Sequence, residues 1–464
     1  MRPDFRRKET PARAPAGRRS AFRFTQAKLV LAILVLATGI RPALAVPAFA
    51  EQTQMACQSC HIGGFGPQLT PFGRQFKLNG YTMRASKFTM PVSAMVVASF
   101  LRTDKDQPGA PAPHYATNDN ATIDEISLFL AGGDGDHLGG FAQITYDGVG
   151  RGVSWDNLDL RAIDHVTLFG SDVLLGISVN NNPTTQDVWA TLPGWGFPFT
   201  DSALAPGPSA STLISDALAQ NVIGVSAYAW WDENFYTEVG LYNSTSTGFL
   251  KAVGVDPADT SELKSTAPYV RVAYQKDYGD QNFEIGAFGL FADLYPGRDS
   301  STGQSDHYTD LGLDASYQYL GDGQNIYTLN GRFISEHQKL NASVLLGNAL
   351  SSSVNFNELN ANASYYFQNT YGVSVGAFHT WGSSDALLYA DNRTLKPNSS
   401  GFTFQIDGTP FGGENAEYGP RVNVRMGIQY TAYTMFDGAS TNYDGLGRNA
   451  SDNNTLRIFL WTAF

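Results

Sequence analysis

The stretch "VNVRMGIQYTAYTMF", Val422–Phe436, has the period of a strand with two unlike faces. Val422, Val424, Met426, Ile428, Tyr430, Ala432, Thr434 and Phe436 fall on one side. Asn423, Arg425, Gly427, Gln429, Thr431, Tyr433 and Met435 fall on the other. Successive strand side chains point to opposite faces, so this spacing predicts one apolar and one polar surface. The same reading fits "LGLDASYQYLG", where Leu311, Leu313, Ala315, Tyr317 and Tyr319 alternate with Gly312, Asp314, Ser316 and Gln318. In "GVSVGAFHTWG" the apolar register is Val373, Val375, Ala377, His379 and Trp381.

These segments are as long as a tilted transmembrane strand, roughly ten residues. Turn-rich joints such as "YGDQN", "LGDGQN" and "NPTTQD" separate them. Fourteen to sixteen such segments can be picked out. Closing them into a barrel satisfies every backbone donor and acceptor, which is what lets strands cross lipid. The chain ends "LRIFLWTAF", with Leu456, Ile458, Leu460, Thr462 and Phe464 alternating to a terminal aromatic. That ending resembles the last strand of bacterial outer-membrane barrels. A soluble all-β sandwich is the rival, and strand length, aromatic content and Phe464 count against it. The expectation is an all-β chain: a transmembrane antiparallel β-barrel of about 16 strands over residues 91–464, in the outer membrane. Arg151, Asp172, Arg271, Glu284, Asp314, Arg332, Glu336 and Arg425 then face the lumen or the rims.

Composition agrees. Only 16% of residues are charged, while Gly (47), Phe (29) and Tyr (22) are plentiful. Residues 1–50 differ. They hold ten Lys/Arg and two Asp/Glu, then the apolar run "LVLAILVLATGI" and the small-residue sites "ALA" and "AFA". This is the pattern of a signal peptide cleaved near Ala45 or Ala50. The whole chain carries −12, so the part beyond residue 50 carries about −20. That balance argues against a nucleic-acid partner and suits an exported protein that tolerates cations.

The only two cysteines lie in "CQSCH", Cys57–His61. A disulfide or thioredoxin-like pair, half a zinc site, and attachment of a c-type haem are the three readings. Zinc lacks a second pair of ligands, and Gly63, Gly64 and Gly66 follow where a redox motif would open a helix. Haem c accounts for each residue: Cys57 and Cys60 as thioether sites and His61 as the proximal iron ligand. For the sixth position Met55, Met83, Met90 and Met95 are nearby, with Met83 singled out. A distant histidine (His114, His137, His165, His307, His337 or His379) and an open site are the alternatives. The haem segment, residues 51–90, is too short to support its own core. It is therefore expected to lodge in the barrel as a small helical and loop segment. Phe65, Leu69, Phe72 and Phe76 are candidates to pack on the porphyrin, and Arg74, Lys77 and Arg84 to meet its propionates.

From "VPAFAEQTQMACQSCH" through "GPQLTPFGRQFKLNGYT" the chain resembles the fused monohaem cytochrome–porins of the outer membrane, the iron-oxidising type. The detailed likeness covers about thirty-five residues (Pro67, Leu69, Phe72-Gly73-Arg74, Phe76-Lys77, Gly80-Tyr81-Thr82); beyond it only the layout is shared. The resemblance implies one covalent haem c. It also implies electron transfer from extracellular Fe(II), or another outside donor, to a periplasmic cytochrome or cupredoxin, as an iron(II):cytochrome c oxidoreductase would. A porin with a structural haem plug and a haem enzyme with an open sixth site are the other functions considered.

Overall fold

The computed structural model describes residues 47–85, 92–195, 200–215, 217–413 and 422–464. The leader region 1–46, with the first cleavage site at Ala45, and Met90 lie outside these residues.

Sixteen long strands form one antiparallel sheet. They are β1 (Val92–Thr103), β2 (Asn120–Asp134), β3 (Leu138–Asp147), β4 (Gly152–Leu168), β5 (Ser171–Asn180), β6 (Val222–Trp231), β7 (Phe235–Ser244) and β8 (Ala267–Tyr278). There follow β9 (Gln281–Tyr295), β10 (Asp306–Tyr319), β11 (Asn325–Lys339), β12 (Ser353–Phe367), β13 (Tyr371–Gly382), β14 (Ser399–Gly408), β15 (Asn423–Met435) and β16 (Thr455–Ala463). Each pairs with the next in sequence, and β1 pairs with β16 from Met95↔Ala463 to Thr103↔Thr455, which closes the barrel. A two-residue strand, Glu262–Leu263, adds to the rim beside β9.

The alternation is inverted relative to a soluble protein. On β10, Leu311 and Leu313 are more than half exposed, while Asp310, Asp314, Ser316 and Gln318 are buried. On β15, Met426 and Ile428 face out and Asn423, Arg425 and Gln429 face in. An apolar exterior over a polar interior is stable only where the exterior meets lipid. The chain is a 16-strand antiparallel outer-membrane barrel.

Two details depart from the strict period. At the end of β15 the register shifts, so that Gly401 pairs with Tyr433 and Ser400 with Met435. The extra residue, Thr434, bends the strand. Phe436 thereby leaves the lipid register of Val422 and is buried beside Tyr433, ring centroids 4.9 Å apart. Arg151 and Asp172 are exposed at the rims, whereas Arg271, Glu284, Asp314, Glu336 and Arg425 are buried in the lumen.

The two ends of the barrel differ. One carries turns of two to five residues, at 135–137, 169–170, 232–234, 279–280, 320–324 and 368–370, the longer connection 409–422 between β14 and β15, and the start of β1 and end of β16. The other carries the turn 148–151 and the longer connections 104–119, 181–221, 245–266, 296–305, 340–352, 383–398 and 436–454. Short turns mark the periplasmic end of such barrels and long loops the outside.

Two segments fold into the lumen. The described residues between β5 and β6, 181–195, 200–215 and 217–221, bury Val188, Trp189, Leu192, Ile214 and Leu218. Three wall carboxylates hold this segment by consecutive backbone amides. Thr212 N donates to Glu358 (2.6 Å), Leu213 N to Glu336 (2.6 Å) and Ile214 N to Asp310 (2.8 Å). Carboxylates accepting backbone N–H bonds in a dry interior are strong partners. The second segment is 47–85, a run of short helices and turns: α1 (Ala48–Thr53), α2 (Cys57–Cys60), a single 3-10 turn (Ile62–Gly64) and α3 (Pro71–Leu78). It makes no discrete helical domain, only short dispersed helices, and the barrel wall supplies its packing.

Candidate functional site

The segment 47–85 is tied to the short-turn end. Gln58 Nε2 donates to the carbonyls of Gln368 and Asn369. Gly133 N donates to Gln52 Oε1, Gln75 Nε2 to Glu233, and Arg84 to Gly135 O and Asp136. These partners are turn residues or strand ends at the periplasmic mouth.

The loop after the cysteines is clamped most tightly. Asn369 Oδ1 accepts from Gly63 N at 2.6 Å, and its Nδ2 donates to His61 O at 2.9 Å. Thr409 Oγ1 donates to Gly63 O, Asn423 Nδ2 to Gly64 O and Arg425 Nη1 to Phe65 O. Arg425 is itself fixed by Asp407 at 3.0 Å and by the Tyr366 hydroxyl at 2.8 Å. Gly63 has φ +72°, and a Cβ there would stand 2.7 Å from the Tyr366 ring, so only glycine fits.

Helix α3 is packed directly on the cysteine turn. Thr70 caps it by accepting from Gly73 N, while Thr70 N donates to Cys60 O at 2.9 Å. A Cβ on Gly73 would meet that same Cys60 carbonyl at 2.2 Å. The far end of α3 is held by Lys77, whose Nζ donates to the carbonyls of Thr185 (2.7 Å) and Asp187 (2.9 Å) on the infolded segment. Asp159 lies 3.9 Å away. Burial pushes the Lys77 ammonium down to about 7, against the pull of Asp159. Arg74 is buried and donates to Leu69 O and Gln318, which ties the loop to β10; burial lowers it to about 10.

Cys57, Cys60 and His61 converge on one cavity of about 650 Å³. Its lining includes Phe49, Phe65, Phe76, Phe129 and Trp461, so it is predominantly apolar. That size is within the range of about 300–1,000 Å³ common for cofactor pockets. No disulfide joins the two cysteines, and burial raises both thiols, Cys60 to about 12. Burial also pushes His61 down to about 4, which keeps the imidazole neutral and able to ligate a metal. Its Nδ1 is buried beside the Gly66 backbone without a well-aligned hydrogen bond. Two thiols and a neutral imidazole on an apolar void fit a covalently attached haem.

Several sequence candidates fall elsewhere. Met83 is 36% exposed, its carbonyl accepts from Gln52 Nε2, and it does not line the cavity. Met55 and Met95 do line it. His114, His137, His165, His307, His337 and His379 do not; His379 lies on the outer register of β13, stacked on Trp381. Phe65, Leu69, Phe76 and Lys77 line the cavity, whereas Phe72, Arg74 and Arg84 do not. Sequence reasoning missed Asn369, Thr409 and Asn423, and no local signal marks them, because they act through loop carbonyls more than 300 residues away. Among the described residues no group of three or more His, Cys, Asp or Glu is placed to hold a metal ion.

No protein-family model matches the chain, and no curated protein matches it. Solved structures with a similar layout include an anion-selective porin from Comamonas acidovorans, at 13% identity. It covers 80% of this chain and 98% of that one, with a TM-score of 0.44. The outer membrane channel DcaP of Acinetobacter baumannii is similar at 12% identity, with 80% and 96% covered and a TM-score of 0.42. In-vitro folded OmpT, an outer membrane protein of Vibrio cholerae, is similar at 10% identity, with 80% and 96% covered and a TM-score of 0.41.

Proposed function

We propose that the chain is an outer-membrane electron-transfer protein that carries one haem c on Cys57 and Cys60, with His61 as proximal ligand. The observation that carries this reading is the convergence of those three side chains on a single apolar cavity. When bound, haem supplies a one-electron centre. The protein's part is to hold it at the periplasmic mouth, through Asn369, Thr409, Asn423 and Arg425, and to keep it dry with phenylalanines and Trp461. Electrons would arrive from an extracellular donor, Fe(II) being the first candidate. They would leave to a periplasmic cytochrome or cupredoxin at the short-turn end. The negative charge of about −20 beyond residue 50 attracts cations of any kind and does not select iron.

A second reading is favoured by the barrel itself. Sixteen strands give a porin's architecture, and the haem would then only stabilise a plug. The two infolded segments oppose free passage through it. Anaerobic mixing of the oxidised protein with Fe(II), followed in the haem absorption bands, separates the two. Reduction within seconds supports electron transfer. A haem that Fe(II) leaves oxidised, together with rapid swelling of solute-loaded liposomes, supports the porin.

A further inference from the structure

A six-coordinate haem needs a ligand on the face opposite His61, and the cavity limits the choice. Among the described residues no histidine besides His61 lines it. Lys77 lines it, but its Nζ is engaged by two carbonyls and faces Asp159. Among the described residues, the remaining side chains there with a soft donor atom, apart from the two cysteines, are Met55 and Met95. Met55 is two residues before Cys57, on the stretch that also carries His61. Met95 comes from the wall, on β1, and is 8% exposed.

The surroundings of Met95 suit a ligand. Its backbone pairs with Ala463 on one side and Ser127 on the other, so its Cα is held by two ladders. Ala94, next to it, exchanges both backbone hydrogen bonds with Phe464. Its side chain packs with Val97, Phe459 and Trp461, with Phe65 and Phe129 beside it. A thioether on a rigid strand among aromatic side chains is better preorganised for iron than one on a loop.

We infer that Met95 of the first barrel strand is the distal haem ligand, so that the barrel wall and the haem segment each supply one axial bond. This rests on the haem reading above. It makes closure of the β1–β16 seam a condition for correct coordination. It also sets the haem at the higher potential that methionine gives relative to histidine.

The test uses the full-length protein and three variants. Met95→Leu keeps the volume and loses the sulfur. It is expected to lose the methionine-to-iron charge-transfer band in the near infrared and to bind carbon monoxide when reduced. Met55→Leu is expected to keep the band and to exclude carbon monoxide. Met95→His is expected to restore a six-coordinate spectrum with a lower midpoint potential, and so shows that the site still folds. A band that persists in Met95→Leu, or that disappears in Met55→Leu, overturns the assignment while leaving the haem in place. Absence of covalent haem from the wild-type protein overturns the function and the ligand together.

Discussion

Asn369 Nδ2 donates to the His61 carbonyl at 2.9 Å, across 308 positions of sequence. The same amide accepts from Gly63 N and reaches Gln58 O at 3.3 Å, so one periplasmic-turn side chain holds both flanks of the Cys-Gln-Ser-Cys-His turn. The barrel thus orients the Cys57–His61 turn directly.

Removing that amide gives the first prediction. Asn369→Ala leaves Gly63 N and two carbonyls without their partner, at a cost of about 2–3 kcal/mol to docking of the segment. Limited proteolysis of the intact barrel should cut within 47–85 faster than in the wild type by ten-fold or more, while the heat-modified migration of the barrel is unchanged. Equal cutting rates would remove Asn369 from the account.

Gly73 gives the second. A methyl group there cannot avoid the Cys60 carbonyl, which is backbone on a clamped turn. Gly73→Ala should destabilise the segment by about 1–3 kcal/mol and reduce the share of protein carrying covalent haem. Gly109→Ala, where a Cβ meets nothing within 4 Å, is the matched control and should behave as wild type.

Lys77 makes docking depend on pH. Burial lowers it to about 7, while the released segment keeps the ordinary 10.5. Between these values the released form binds more protons than the docked one, so docking strengthens as pH rises from about 7. Below pH 7 both forms are charged, and the docked form carries the cost of burial. The slope is at most about 1.4 kcal/mol per pH unit. Proteolysis of 47–85 should slow between pH 6.5 and 8.5, and Lys77→Met should flatten that dependence.

The mature amino terminus is a fourth test. Phe49 stacks on Tyr81 with centroids 5.0 Å apart and meets Phe76 edge-on at 5.1 Å. Ala48 is 2% exposed. Cleavage after Ala50 would cut α1 and discard both residues, whereas cleavage after Ala45 keeps them. Intact-mass measurement should therefore give a chain starting at Val46. A chain starting at Glu51 would contradict the packing.

The barrel was legible because period-two alternation is a local property. Leu311 to Tyr319 show it without reference to any partner. The turn at 368–370 and the joint after Gly408 read only as turns, since Asn369 and Thr409 acquire their roles through the carbonyls of a distant loop. The Cys-x-x-Cys-His motif was legible from residue type and spacing, but which distant side chains share its cavity was not. Met83 is near Cys60 in sequence, while Met95 reaches the cavity only because β1 closes against β16. The infolding of 181–221 was hidden for a similar reason: its anchors, Asp310, Glu336 and Glu358, sit on three separate strands.

The central claim is that Cys57 and Cys60 hold a haem covalently, and its most direct measurement is the intact mass and haem-peroxidase stain of the purified, denatured protein. The account predicts a mature chain heavier by the mass of one haem that keeps its stain under denaturing conditions, with both signals lost in Cys57→Ala/Cys60→Ala. An unmodified mass and a stainless band in the wild-type protein, expressed where haem c maturation is active, would contradict it.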